Sequence, residues 1–261
     1  MTFAQTVILA AIAGGTIFLG LPTGRLRGLS RTWQAALTTA AGGVILFLIY
    51  DVLAQAVEPV RAALDAFRRG DSPGQFAGYA AALGLSVAVG LLSVTYLTSR
   101  MAARRGAGVA ITPHQIALGT AAGLGLHNFS EGLAIGQSSA SGATSFALVL
   151  VIGFALHNAT EGFAISAPLS SGERPSWGFL LVAGLVGGGP TFIGGVLGYL
   201  VVSPVLSILF LGLAAGALVF VFNEMMAVAR RFSMPMVTGV ALTLGLLAAF
   251  GTDFILSAAG S

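Results

Sequence analysis

Residues 124–136 read LGLHNFSEGLAIG, and thirty residues later the chain repeats the pattern as FALHNATEGFAIS, residues 154–166. Each copy sets a histidine, an asparagine and a glutamate inside an otherwise apolar run. The chain has three histidines, and two of them stand in these copies. In H-N-x-x-E-G the histidine and glutamate are four positions apart, about one helical turn, so they share a helix face. Gly132 and Gly162 follow the glutamates and permit a close helix neighbour.

Working outward, the surroundings of both copies are too apolar for a water-exposed domain. Of 261 residues, 56% are hydrophobic and 8% charged, and the mean hydropathy is +0.93. Soluble domains carry about 25% charged residues. The composition therefore predicts an all-α integral membrane protein, a single transmembrane domain over residues 1–261. With no cysteine there is no disulfide, thiolate ligand or redox motif. The segment after MTFAQ lacks a basic flank and a cleavage site, so no cleavable leader is read there.

Apolar runs between polar breaks predict eight spans, near residues 4–22, 33–57, 76–98, 114–137, 144–167, 178–202, 205–229 and 235–257. The break at Ser203-Pro204 is the shortest. All twelve basic residues are arginines, set in the connections, which points to membrane orientation and away from nucleic acid. Connections after spans 1, 3, 5 and 7 carry Arg25, Arg27, Arg31, Arg100, Arg104, Arg105, Arg174, Arg230 and Arg231. Those after spans 2, 4 and 6 carry Arg61, Arg68 and Arg69, partly offset by Asp65 and Asp71. Nine against three places the first set in the cytoplasm and both termini outside. Pairs such as Gly119/Gly123, Gly184/Gly188, Gly194/Gly198 and Gly212/Gly216 suit a compact bundle and make a homodimer an expectation.

A charge inside a span costs about 2.5–3.5 kcal/mol on insertion scales, so such residues are functional by default. They are Glu131, Glu161, Asp51, Glu224 and Asp253, with Glu58 near the end of span 2, joined by His127, His157, Asn128, Asn158 and Asn223. Spans 4 and 5 are consecutive and antiparallel, so a two-fold axis in the membrane plane brings two imidazoles and two carboxylates toward one point. That donor set suits tetrahedral Zn²⁺ and also accepts Fe²⁺, Mn²⁺ or Co²⁺. A divalent cation neutralises a carboxylate pair that would otherwise repel. The asparagines, about 100° round the helix, either ligate a second ion or orient the ligands.

On these motifs the chain resembles the ZIP (Zrt-, Irt-like) family of divalent metal transporters. The resemblance implies eight spans, external termini, and transport of zinc or another divalent ion (Cd²⁺ among them) toward the cytoplasm of a plasma (inner) membrane. It implies a metal site of His127, Asn128, Glu131, His157, Asn158 and Glu161, with no catalytic residue and no catalytic cofactor. Three departures stand out. Ser130 and Thr160 occupy the positions before each glutamate where the family usually has proline; their hydroxyls are expected to bond the carbonyl one turn back and bend the helix gently. Span 6, reading VGGGPTFIGG over residues 186–195, lacks the acid that several members use for a second metal, which favours one ion. Its Gly187–Pro190 run is expected to loosen or break the helix. The connection before span 4 is short and basic and holds only His114, expected to be an interfacial residue.

Glu224 in FNEMMAVARR resembles an acidic position near the inner end of span 7. Asp51 and Glu58 share a face of span 2, and Asp253 lies near the outer end of span 8, so these and Asn223 mark a candidate pathway. Glu58-Pro59 alternatively caps the outer end of span 2. No phosphate-binding glycine-lysine loop exists, which excludes an ATP-driven pump built into this chain. The rival readings are a proton-coupled transporter or cation channel using the same acids, a membrane metallo-hydrolase, and a purely structural bundle. No H-E-x-x-H motif supports the hydrolase.

Overall fold

The computed structural model describes residues 1–26, 28–105, 112–142, 144–171, 173–201 and 203–260, and of His157 and a number of other helical residues, 101–105 among them, the backbone alone. Among these residues the chain is helical, with no strand. The helices are α1 (Phe3–Gly15), α2 (Ile17–Gly20), α3 (Arg31–Arg68), α4 (Pro73–Arg105), α5 (Pro113–Ala140), α6 (Thr144–Ser166), α7 (Trp177–Leu200), α8 (Pro204–Arg230) and α9 (Pro235–Gly260). Short 3₁₀ turns follow α2 over Leu21–Arg25 and α6 over Ala167–Ser171.

Local chemistry sets the helix starts. Thr112 caps α5 by accepting from the Gln115 N–H, and the Gln115 side chain accepts in return from the Thr112 N–H. Ser30, Ser176 and Ser203 cap α3, α7 and α8 in the same sense, each hydroxyl accepting from the N–H three residues on. Pro113 and Pro204 occupy first-turn positions, where the missing N–H has no helical partner in any case. The Ser203-Pro204 break is thus a real helix boundary.

Five stretches are long and apolar enough to cross a membrane: Phe3–Arg25, Arg31–Arg68, Pro73–Tyr96, Trp177–Leu200 and Pro204–Arg230; Pro235–Gly251 is a shorter apolar run. Helix α5 does not join them, because His127, Asn128 and Glu131 lower the hydropathy of its middle.

Three boundaries differ from the sequence reading. Helix α3 runs through Glu58 and Pro59 to Arg68, so Glu58 is an exposed mid-helix residue and caps nothing. One lost backbone bond at Pro59 is outweighed by the helix-forming run RAALDAF that follows. Span 1 is interrupted at Thr16 between α1 and α2. Helix α7 continues unbroken across Gly187–Pro190. There the missing side chains let neighbouring helices pack directly on its backbone: a Cβ at Gly188 would meet the Gly14 carbonyl, and one at Gly125 the Val186 carbonyl.

The helices form two layers. Helices α1, α2, α5, α6 and α7 pack on one another, and α3, α4, α8 and α9 make the second layer. The seam runs along α5 against α8 and α6 against α9. Of the five long spans α4 is the least buried. Helix ends gather in two groups. At one end the Met1 ammonium donates to Thr144 Oγ1 (3.2 Å), and Tyr199 donates to the Met1 carbonyl (3.4 Å). At the other, Arg25 donates to the Pro175 carbonyl and its guanidinium lies 4.4 Å from the Trp177 ring centre. Most arginines counted above belong to this second end; Arg27 lies outside the described residues.

Candidate metal centre

The doubled motif sits at the middle of the first layer. His127, Asn128, Asn158 and Glu161 are 0% exposed and Glu131 is 4% exposed, so the whole set is withdrawn from solvent and lipid. His127 Nε2 lies 3.4 Å from Glu131 Oε1, the same-face contact that four-residue spacing predicts.

Each asparagine reaches across to the other helix. Asn128 Nδ2 donates to Glu161 Oε2 (2.7 Å) and to the Gly187 carbonyl of α7 (3.0 Å). Asn158 Nδ2 donates to the Ala13 carbonyl beside the α1–α2 break (3.0 Å), and its side chain also acts on the Glu131 carboxylate. The two copies are therefore used reciprocally. Each asparagine serves the glutamate of the opposite copy and one backbone carbonyl of a flanking helix, which resolves its role toward orienting the carboxylates.

Gly132 and Gly162 seat the motif helices. A Cβ at Gly132 would meet the Thr191 carbonyl of α7, and one at Gly162 the Ile17 carbonyl of α2. Helix α5 thus lies directly on α7, and α6 on α2. The expected hydroxyl back-bond in α5 does not form: Ser130 Oγ is buried and bonds nothing in its own helix, which continues without a break.

The arrangement is rich in buried acceptors. Glu131 Oε2, Asn128 Oδ1 and Asn158 Oδ1 are buried and receive no hydrogen bond from the protein. Uncompensated oxygens of this kind are rare in native interiors, and a cation satisfies several at once. Of the four ligands expected from the sequence, His127, Glu131 and Glu161 are described with their side chains. Among the described residues no three His, Asp or Glu side chains stand close enough to share an ion. The His157 side chain lies outside the described residues.

Asp51 of α3 lies near enough for its charge to act on His127, Glu131 and Glu161, and on Asp253 of α9. Its carboxylate accepts from Gln55 Nε2 (2.8 Å). Against the predicted spans 33–57 and 235–257, both acids lie past the middle, toward the arginine-poor end. Glu224, half-buried on α8, lies on the opposite side, six residues before the arginine end of that helix. Glu58 and Asn223 are exposed and are not drawn to the centre. His114 packs edge-on against Phe179, ring centres 4.5 Å apart, in keeping with an interfacial residue. Two partners escaped sequence reasoning, the carbonyls of Ala13 and Gly187. Their only signal was the small-residue runs AGGT and GGGP, where a backbone is left accessible. Compared with known proteins, the chain matches no family model and no curated sequence.

Proposed function

We propose that the chain is a divalent metal transporter of the ZIP type, with zinc as its cargo, eight spans and both termini extracytoplasmic, in a plasma (inner) membrane. The carrying observation is the buried Glu131–Glu161 pair, served by reciprocal asparagines, beside which Glu131 Oε2, Asn128 Oδ1 and Asn158 Oδ1 accept no hydrogen bond and so suit a cation. The metal enters from the arginine-poor side past Asp253 and Asp51, sheds water, and binds first at the adjacent His127 and Glu131, drawing in Glu161 and His157 to complete the set. Asn128 and Asn158 hold the carboxylates in place. A rigid-body shift of one layer against the other then opens the site toward Glu224 and the cytoplasm. The glycine pairs of the sequence pack inside the chain, so a homodimer uses another face, such as that of α4, where Gly78 and Gly84 have no neighbour.

The His127–Glu131 contact equally fits a proton relay, and metal retention separates the two readings. Purified protein is expected to hold about one divalent ion per chain. The His127→Ala/His157→Ala variant is expected to fold and lose it, and zinc flux into proteoliposomes is expected to fall with it. Wild-type protein that folds but binds no zinc, cadmium or manganese would falsify the metal reading and leave the relay.

A further inference from the structure

At the arginine-rich end, away from the metal centre, a cavity of about 290 Å³ opens between the two layers. Its charged lining is Arg31, at the start of α3, and Arg231, at the end of α8. No acidic side chain lines it. Neither arginine takes part in the ion pairs of the described residues, which join Arg68 to Asp65 and His127 to Glu131. Two like charges from different helices therefore face one space with no acidic side chain among the described residues lining it. The remaining wall is apolar, with Ile116 from α5 and Val228 and Phe232 from the α8 end.

We propose that this cavity binds a phosphate-bearing anion, its oxygens on the two guanidinium groups and its apolar portion against Ile116, Val228 and Phe232. Guanidinium groups match phosphate oxygens in geometry and charge, and basic pockets between spans take anionic headgroups. The apolar wall favours a phosphodiester headgroup over free phosphate. The placement gives the site a consequence. Arg31 and Arg231 belong to the α3/α8 layer, whereas Ile116 and the other walls, Pro113 and Pro168, belong to the α5/α6 layer. A bound anion removes the repulsion between Arg31 and Arg231 within the α3/α8 layer, and its apolar portion rests on Ile116 of the other layer across the seam.

Native mass spectrometry of the full chain in detergent tests this, with phosphatidylglycerol or phosphatidylcholine added, each with and without inorganic phosphate. Wild-type protein is expected to retain phosphatidylglycerol at least about tenfold better than phosphatidylcholine. Arg31→Gln/Arg231→Gln is expected to weaken retention about thirtyfold, and Arg231→Gln alone about fivefold. The Arg31→Lys/Arg231→Lys variant is expected to keep most of it, and Arg68→Gln/Arg69→Gln all of it. Displacement of lipid by millimolar phosphate assigns the site to soluble phosphate as well; failure to displace assigns it to the headgroup. Equal retention of both lipids with no phosphate binding overturns the proposal. So does an equal loss in the Arg68/Arg69 variant, which would reduce the effect to overall charge.

Discussion

Asn128 joins three elements through one amide group. Its Nδ2 binds Glu161 of α6 and the Gly187 carbonyl of α7 while its backbone belongs to α5. Replacing it with alanine withdraws that donor from a buried carboxylate and a buried carbonyl. The expected cost is about 1–3 kcal/mol, seen as a lower unfolding temperature of the metal-free protein, together with weaker zinc affinity. Asn128→Asp keeps the shape but adds a third negative charge beside Glu161. That variant should be less stable than wild type without metal and should gain more from zinc; equal zinc-induced stabilisation would count against the site. Protonation supplies a further test at this scale. Imidazoles and carboxylates bind cations only in their deprotonated forms, so protons compete with metal. Affinity is expected to fall about tenfold or more for each imidazole involved between pH 7.5 and pH 5.5, measured by competition with a metal-responsive dye. An affinity unchanged across that interval would remove the histidines from the ligand set.

The glycine contacts make α5 and α7 behave as one element. Gly132 of α5 has no room for a Cβ because the Thr191 carbonyl and the Gly195 N–H of α7 occupy the space. Backbone atoms cannot rotate away as side chains do, so Gly132→Ala forces the helices apart. A destabilisation of about 1–3 kcal/mol is expected, and the Asn128–Gly187 bond should weaken with it. Gly84 of α4 is the control: it is helical, and nothing lies within 4 Å of an added Cβ. There Gly→Ala should stabilise by about 0.5–1 kcal/mol through helix propensity alone. Parallel thermal unfolding of the two variants would show opposite signs; the same sign in both would mean that the α5–α7 contact is looser than described.

At the scale of the molecule the seam between layers is where movement must occur if one layer shifts against the other. Gly123 of α5 faces Ala217 of α8 across it, a Cβ at position 123 lying 3.3 Å from the Ala217 Cβ. The native chain has no cysteine, so Gly123→Cys/Ala217→Cys introduces a single pair, slightly closer than the roughly 3.5–4.5 Å between the Cβ atoms of a disulfide, which a small shift of the helices restores. Oxidation is expected to remove most zinc flux in proteoliposomes, and reductant to restore it, with zinc affinity little changed. Full flux in the cross-linked protein would show that transport does not need the layers to slide.

The apolar character of the long helices, the positions of most helices and the same-face pairing of His127 with Glu131 were legible in the chain itself. Apolar length, capping residues and four-residue spacing are local quantities, and buried charge is costly wherever the helix lies. The course of α3 beyond Pro59 was less legible, because one lost hydrogen bond is weighed against a whole helical segment. Tertiary structure alone decided that the asparagines cross between copies and that α7 survives its glycine run. It also decided that Asp51 is half-buried, with its charge acting on the centre, while Glu58 on the same helix is exposed. Those outcomes depend on which backbones approach each other and in what register, and glycine and small residues permit such approaches without saying where they occur. Sequence by itself therefore determined which residues had to be withdrawn from lipid, and the packing of α1, α2 and α7 around α5 and α6 decided what each of them meets there.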